Sequence, residues 1–417
     1  MSPLATRPDR ITSPAALQSA RSRRLLPSSA AFAGSAAAFA ALYVAAGAPT
    51  PLLIIFEQQW HFPPWVLTVA FASYSLGLLA ALLVAGSLSD HIGRRPVLIG
   101  SLVVELGAML LFVFAPNIGW VIAARTIQGI ATGAATSAFS ASIVEHAPER
   151  HEKFATIITS IAPAGGLGVG ALLTGAAIQF SSHATLIVFT ALAVVMAVGA
   201  GVAAFSAETA TPRPGAARSL IPRVVVPAAA RREFLAGIPV HMAAWMLAGL
   251  FMGLVPTIIR DLLGLHSGLL NGATAFVEPA AAAVGGLFLG RLTARRTIVV
   301  GAVGVLLGTA VIESGVATGV LALLWIGGII GGVGFGASFS GAIRTIAPLA
   351  QPHQRAALFA AVYMVAYLSF GIPTIIAGLL IGPIDLLHTV LGYGIAVILT
   401  AALTLLAQHR LTHRAPG

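Results

Sequence analysis

"GSLSDHIGRRPVLIG", residues 86–100, sets an aspartate and two arginines among glycines between two long apolar runs. The stretch stands out because the rest of the chain is so poor in charge. Of 417 residues, 58% are hydrophobic and only 9% charged, whereas soluble domains carry roughly 25% charged residues. The 23 basic and 13 acidic side chains cannot clothe a soluble chain of this length. Lipid is therefore the solvent for most of it.

The hydrocarbon core of a bilayer needs about 20 apolar residues per helix. Twelve segments qualify, with approximate limits 30–56, 64–88, 96–115, 119–143, 154–179, 184–205, 234–257, 267–290, 297–314, 318–342, 357–382 and 385–407. They lack period-two alternation and are about twice the length of a barrel strand, which predicts helices.

The net charge of +10 has a positional explanation. With both termini inside, 21 of the 23 basic residues collect on the inner side; Arg260 alone lies outside, and Arg125 falls within a span. This is the positive-inside pattern, and it removes nucleic acid as the reason for the basic balance. Residues 1–28, with Arg7, Arg10, Arg21, Arg23 and Arg24, are expected to be a retained cytoplasmic tail. "SRRLL" is faintly similar to a twin-arginine export signal, but the following run is long enough to span and precedes many more spans.

Several functions are excluded. With no cysteine there is no disulfide, thiolate metal site or thiol nucleophile. The single lysine, Lys153, lies in "HEKFA", which is neither a phosphate-cradling loop nor H-E-x-x-H. No enzyme activity, metal or prosthetic group is expected.

Residues 207–232 form the only long polar break between spans, which divides the chain into a tail (1–28), a six-helix bundle (29–206), a cytoplasmic linker (207–232), a second six-helix bundle (233–408) and a cytoplasmic C-terminal tail (409–417). "WVIAARTIQGIATGAATSAFS" from Trp120 resembles "WIGGIIGGVGFGASFSGAI" from Trp325, and "GALLTG" ending at Gly175 resembles "AGLLIG" ending at Gly382. The offsets of 205 and 207 match half the chain, the mark of a parallel six-helix repeat. The expected fold is an all-α membrane protein of twelve transmembrane helices in two pseudo-symmetric six-helix bundles.

In the opening stretch, glycines allow a tight reversal between helices. Asp90 can accept hydrogen bonds from backbone N–H groups at a neighbouring helix N-terminus, and the arginines can pair with Glu145, Glu149 or Glu152. Gly86, Leu88, Asp90, Gly93, Arg94 and Arg95 fit G-x-L-x-D-x-x-G-R-R. With twelve spans in two sixes, the chain thereby resembles the major facilitator superfamily over nearly its whole length. The resemblance implies that this loop latches the two bundles in the outward-facing state, with Asp90 as latch and Arg94 as its charge partner. His91 replaces the basic residue common in that loop, and the corresponding "GRLTARRT" keeps Arg295 and Arg296 but has no acid, so the second latch is expected to be degenerate.

Arg125, Gln128, Gly129 and Gly133 in "RTIQGIATG" resemble the family's R-x-x-Q-G motif, which implies an arginine facing the central cavity and acting in proton coupling. Arg125 and Gln128 share a helix face. An arginine in a span costs about 2.5–3.5 kcal/mol on insertion scales, so it needs a polar cavity, a partner or a path to the interface near Trp120. In span five, residues 166–175 are similar to the antiporter pattern G-x-x-x-G-P-x-x-G-G, with Ala171 in place of proline and Thr174 in place of the first paired glycine.

Glu278 lies roughly 16 Å from either end of its span at about 1.5 Å per residue, too deep to reach water by stretching. A carboxyl there is expected to be protonated or paired with a cation, which makes it the leading proton-coupling candidate. Glu105 is equally deep and divides evenly between packing and function. His241 and Trp245 share a face of span seven; with Tyr43, Tyr363 and Tyr367 they are candidates to line a substrate cavity. Asp261, Glu57, Glu313 and Asp385 fall near the outer interface and are expected to be solvated.

These readings converge on a monomeric secondary transporter of the bacterial inner membrane, with both termini cytoplasmic, whose partners are a small molecule, protons and lipid. Proton-coupled export of small amphipathic compounds by antiport is the first expectation. Proton-coupled uptake or facilitated diffusion of a sugar or organic acid is the alternative, and a non-transporting scaffold or receptor is the remote one.

Overall fold

The structure, a computed structural model, describes residues 25–413. Most of the expected N-terminal tail, with its five arginines, and the last residues of the C-terminal tail, with Arg414, lie outside the described residues. The long helices are α1 (Ser28–Trp60), α2 (Pro64–Ala85), α3 (Arg94–Val113), α4 (Ile118–His146), α5 (Glu152–Phe180), α6 (Ala184–Phe205), α7 (Ala228–Gly253), α8 (Gly268–Phe288), α9 (Ala294–Thr318), α10 (Leu321–Ile346), α11 (Arg355–Ile381) and α12 (Leu386–His413). No strand occurs among the described residues. The protein is an all-α, many-span bundle.

Where the sequence predicts twelve spans, eleven helices among the described residues are long and apolar enough to cross a membrane. The exception is α4, whose 29 residues include Arg125, Gln128 and a run of hydroxyls. Those hydroxyls are satisfied within the helix: Thr132 donates to the Gln128 carbonyl at 2.9 Å, Thr136 to Thr132 at 2.6 Å and Ser140 to Thr136 at 2.8 Å. Helix α7 begins at Ala228, within the segment expected as the linker.

Local sequence sets the ends and breaks. Asn117 caps α4 by accepting from the Gly119 amide at 3.0 Å, and Ser267 caps α8 by accepting from Leu270 at 3.2 Å. In α1 the helix is interrupted at Ala48 and resumes at Pro49. Proline has no N–H to give the carbonyl four residues earlier, so the Ala45 oxygen loses its helical donor.

The helices pack in two sets. Among α1–α6, α4 contacts α1, α2 and α3, α6 contacts α1 and α3, and α5 lies on α1. Among α7–α12, α10 contacts α7, α8 and α9, α12 contacts α7 and α9, and α11 lies on α7. The sets meet mainly through α2 on α11 and α5 on α8. Glycine permits these approaches: a Cβ on Gly272 would overlap Ala171 and Gly175, and one on Gly378 would overlap Thr68.

Candidate functional site

Arg125 is the largest fully buried side chain among the described residues, 1% exposed. One guanidinium nitrogen donates to the Ala46 carbonyl and to Gln128 Oε1, each at 2.8 Å. The others reach the Phe71 and Ala70 carbonyls of α2 at 3.3 and 3.4 Å. Its charge centre sits 4.6 Å above the Tyr74 ring. Gln128 donates in turn to the Ala45 carbonyl at 2.9 Å and to Glu105 Oε1 at 3.1 Å. The guanidinium thus faces neither lipid nor the outer interface. It is held by neutral oxygens from α1, α2 and α4, and it makes no ion pair among the described residues. The α1 break supplies part of this cradle, since Ala45 is the residue left without a donor by Pro49. Glu105, balanced between packing and function on sequence, proves to be the end of the chain of bonds that starts at Arg125.

The other set contributes aromatic rings. Trp245 of α7 lies 4.9 Å from Tyr367, 5.4 Å from Phe335 and 5.8 Å from Phe370, centroid to centroid. Tyr363 and Tyr367 stack at 6.2 Å, and Phe339 bridges His241 at 5.7 Å and Tyr363 at 6.3 Å. Most of these rings are only half-buried. The cluster meets the Arg125 cradle directly: Phe370 packs on Phe71 at 5.0 Å, and Tyr367 packs against the small cluster formed by Ala46, Tyr74 and Leu78. Tyr43 hydrogen-bonds Thr136 at 3.0 Å and sits edge-on to Phe39. The structure therefore brings Tyr43, Trp245, Tyr363, Tyr367 and His241 to one region between the sets. Tyr74, Phe335, Phe339 and Phe370 belong to it too; sequence reading passed over them because phenylalanines in apolar helices carry no pattern that separates cavity from core.

Glu278 is 2% exposed, has no cation partner among the described residues, and its Oε1 has no hydrogen-bond partner. His241 is equally buried, with its Nε2 unpartnered at a crevice shared with Glu233, Phe234, Thr345 and Val362. Neither touches Arg125.

The opening loop forms a short helix, Ser89–Ile92, ending at Gly93, whose φ of 101° suits glycine alone. Arg94 pairs with Asp90 at 2.5 Å and with Glu145 at 3.4 Å, and Arg95 donates to the Ala204 carbonyl. The backbone amides at the start of α3 do not go to Asp90. Glu208, in the linker, accepts from the Arg94 and Arg95 amides at 2.8 and 3.0 Å and from Ala210 at 3.0 Å. Its carboxylate sits at the positive end of the α3 dipole. Asp90 is committed instead to Arg94, and Glu208 escaped notice because it is remote from the loop in sequence. In the corresponding loop, Arg344 takes over, donating to the Gly290 and Leu292 carbonyls at 2.8 Å each.

At the opposite end, two of the acids expected to be solvated are not. Glu57, from the end of α1, pairs with Arg260 at 2.6 Å, with 11% and 14% of the two side chains exposed. Glu313 is half-buried beside Gly394 of α12. Asp261 pairs with Arg260 at 2.5 Å, and Asp385 stays exposed, capping α12 through the His388 amide at 2.9 Å. Folding brings Glu57 to Arg260 across the two sets, which sequence proximity did not announce.

Comparison with known proteins bears on this geometry. The sequence model of the Major Facilitator Superfamily matches residues 31–312. Among curated relatives, the uncharacterised MFS-type transporter YybF of Bacillus subtilis (strain 168) is 31% identical over 100 residues, 24% of each chain. The 4-hydroxybenzoate transporter PcaK of Pseudomonas putida is 26% identical over 113 residues, 27% of this chain and 25% of its own. These matches span about a quarter of each relative. Among solved structures, a bacterial homologue of the human lysosomal transporter Spinster, inward-facing and unoccupied, aligns with a TM-score of 0.73 at 13% identity over 93% of this chain and 98% of its own. A POT family transporter in complex with 5-aminolevulinic acid aligns with a TM-score of 0.73 at 11% identity over 92% and 96%.

Proposed function

Because this chain belongs to the Major Facilitator Superfamily, and so is a multi-pass membrane transporter of small molecules rather than an enzyme, we propose that it drives its substrate with protons by alternating access. The observation that carries the reading is the half-buried aromatic cluster of Trp245, Tyr363, Tyr367 and Phe339, set against the Arg125 cradle where the two helix sets meet. Aromatic faces accept flat or amphipathic molecules with little demand for fixed polar partners. Glu278, deep in α8 without a cation, is the leading proton carrier, with Arg125, Gln128 and His241 as further participants.

The fold reading refines in the same direction. The main contacts within α1–α6 have counterparts six helices later, and a shift of six exchanges α2·α11 with α8·α5. This supports two pseudo-symmetric bundles, 29–206 and 233–408, with α4 as the twelfth span. The positive-inside pattern supports cytoplasmic termini in a bacterial inner membrane, and the chain is proposed to act as a monomer. Contacts between the sets gather at the Arg260 end, while Asp90 and Arg94 pair within their own half and Glu208 of the linker caps α3. That pattern favours an inward-facing arrangement in which the latch of Gly86, Asp90, Gly93, Arg94 and Arg95 is released from the second bundle.

Export of small amphipathic compounds is the first reading. Uptake of an organic acid is the second, favoured by the similarity to a 4-hydroxybenzoate transporter and by rings suited to stacking on an aromatic acid. Vesicles of purified protein under an imposed pH gradient decide between them, with ethidium and 4-hydroxybenzoate as probes. Ethidium antiport lost in Glu278→Gln supports export, and proton-driven 4-hydroxybenzoate entry with no ethidium flux replaces it by uptake. No flux of either above protein-free vesicles refutes both.

A further inference from the structure

Glu105 offers a second buried carboxyl, and the hydrogen-bond chemistry around it fixes where a proton can sit. Arginine only donates. Gln128 must therefore turn its carbonyl oxygen to Arg125, which leaves its amide nitrogen to face Glu105. Glu105 Oε1 is thereby an acceptor, and Oε2, which has no hydrogen-bond partner, is the one position open to a proton. The residue is fully buried. Of the long helices packed on α3, α4 presents Arg125 and Gln128 and α6 contains no ionisable side chain; beyond Arg125 lies the Tyr74 ring of α2.

We propose that Glu105 is a proton-exchanging carboxyl of the transport cycle, acting through Gln128 on Arg125 and on the broken segment of α1. The inference rests on the proton-driven reading above and adds a second carrier, in the opposite half from Glu278. On uptake, a proton from water forms the Oε2–H bond; on release that bond breaks and the proton returns to water on the other side. With Glu105 ionised, its charge balances Arg125 across the Gln128 amide. With Glu105 neutral, Arg125 keeps an uncompensated charge, and the Gln128 amide loses its charged acceptor and rests on the Ala45 carbonyl. That carbonyl lies at the α1 break, next to Ala46, which belongs to the cluster of Ala46, Tyr74 and Leu78 against which Tyr367 packs. The proton thus changes how firmly α1 is held at the place where the two halves touch, the differential interaction that biases one conformation over another. Glu105 is a positioning residue in this scheme, since it meets the interface only through Gln128.

The test is an infrared pH titration of the full-length protein in lipid vesicles, following the C=O band of protonated carboxyls between about pH 5 and pH 9. We expect a band that grows on acidification in wild type, with one component missing in Glu278→Gln and another, the Glu105 component, missing in Glu105→Gln. Gln128→Met, which keeps both ionisable groups but cuts the bridge, moves the midpoint of the Glu105 component by about one pH unit. In matched vesicles, Glu105→Gln loses at least tenfold of ethidium flux driven by the pH gradient while still exchanging ethidium at equal pH. A Glu105 band that does not change over this range, or gradient-driven flux in Glu105→Gln equal to wild type, overturns this inference alone. Wild-type flux that ignores the pH gradient overturns the proton-driven reading itself and the inference with it.

Discussion

Arg260 and Glu57 are 203 residues apart, yet their side chains meet at 2.6 Å and tie the end of α1 to the segment that follows α7. Asp261 first, and Glu57 with it, hold the Arg260 guanidinium further into its charged range than an ordinary arginine, against the opposing effect of burial. Alkali therefore does not discharge the guanidinium. Arg260→Gln is expected to weaken closure of this end by about 1–2 kcal/mol, roughly a tenfold shift in population. The chain has no native cysteine, so Gln179→Cys with Ser267→Cys, whose side chains hydrogen-bond at 2.9 Å, gives a clean cross-linking readout. Cross-linking as fast in Arg260→Gln as with the pair intact would show that the ion pair is not what holds this end.

Pro49 is expected to matter through the bond it does not make. Pro49→Ala restores an N–H that competes with Gln128 for the Ala45 carbonyl, worth about 1 kcal/mol. Transport should fall roughly fivefold while thermal stability holds or rises. An unchanged rate in vesicles would remove the α1 break from the mechanism.

Arg125→Lys should not be conservative. An ammonium has three donors and no planar fork, so it cannot serve carbonyls from two helices and the Gln128 oxygen together. A loss of about 2–3 kcal/mol is expected, read as a lower melting temperature in detergent. A variant as stable as wild type would mean the cradle relaxes around the shorter donor set.

Gly93→Ala tests the opening loop. The φ of 101° disfavours any Cβ, and a Cβ there would press on the Glu208 carboxylate. A cost of about 1–2 kcal/mol is expected. Glu208→Ala, which removes an exposed cap at the α3 N-terminus, should cost only about 0.5 kcal/mol. Equal effects of the two would indicate that strain at Gly93 is not the larger contribution.

How much of this was readable in the chain depends on the kind of residue. Glycine spacing and the Asp90–Arg94 pair were visible because both partners lie within one turn of each other. Arg125 with Gln128 was visible for the same reason. Glu105 could not be assigned: its depth was plain, but its partner sits on another helix, and helix packing decides which faces meet. Glu208 and Glu57 were invisible as partners because their contacts, to the start of α3 and to Arg260, close over more than 100 residues.

The sequence by itself determined that the chain is a helical membrane protein with a charged, glycine-bearing loop after its second helix and an arginine that must find partners, because the transfer of apolar runs and scarce charges between water and lipid depends on composition and local spacing alone. Only the tertiary structure decided which partners those charges find, that a proline in α1 frees a carbonyl for Gln128, and that the aromatic rings of the second half close over the cradle of the first. Such contacts are set by how helices far apart in sequence cross, and no local pattern carries that information.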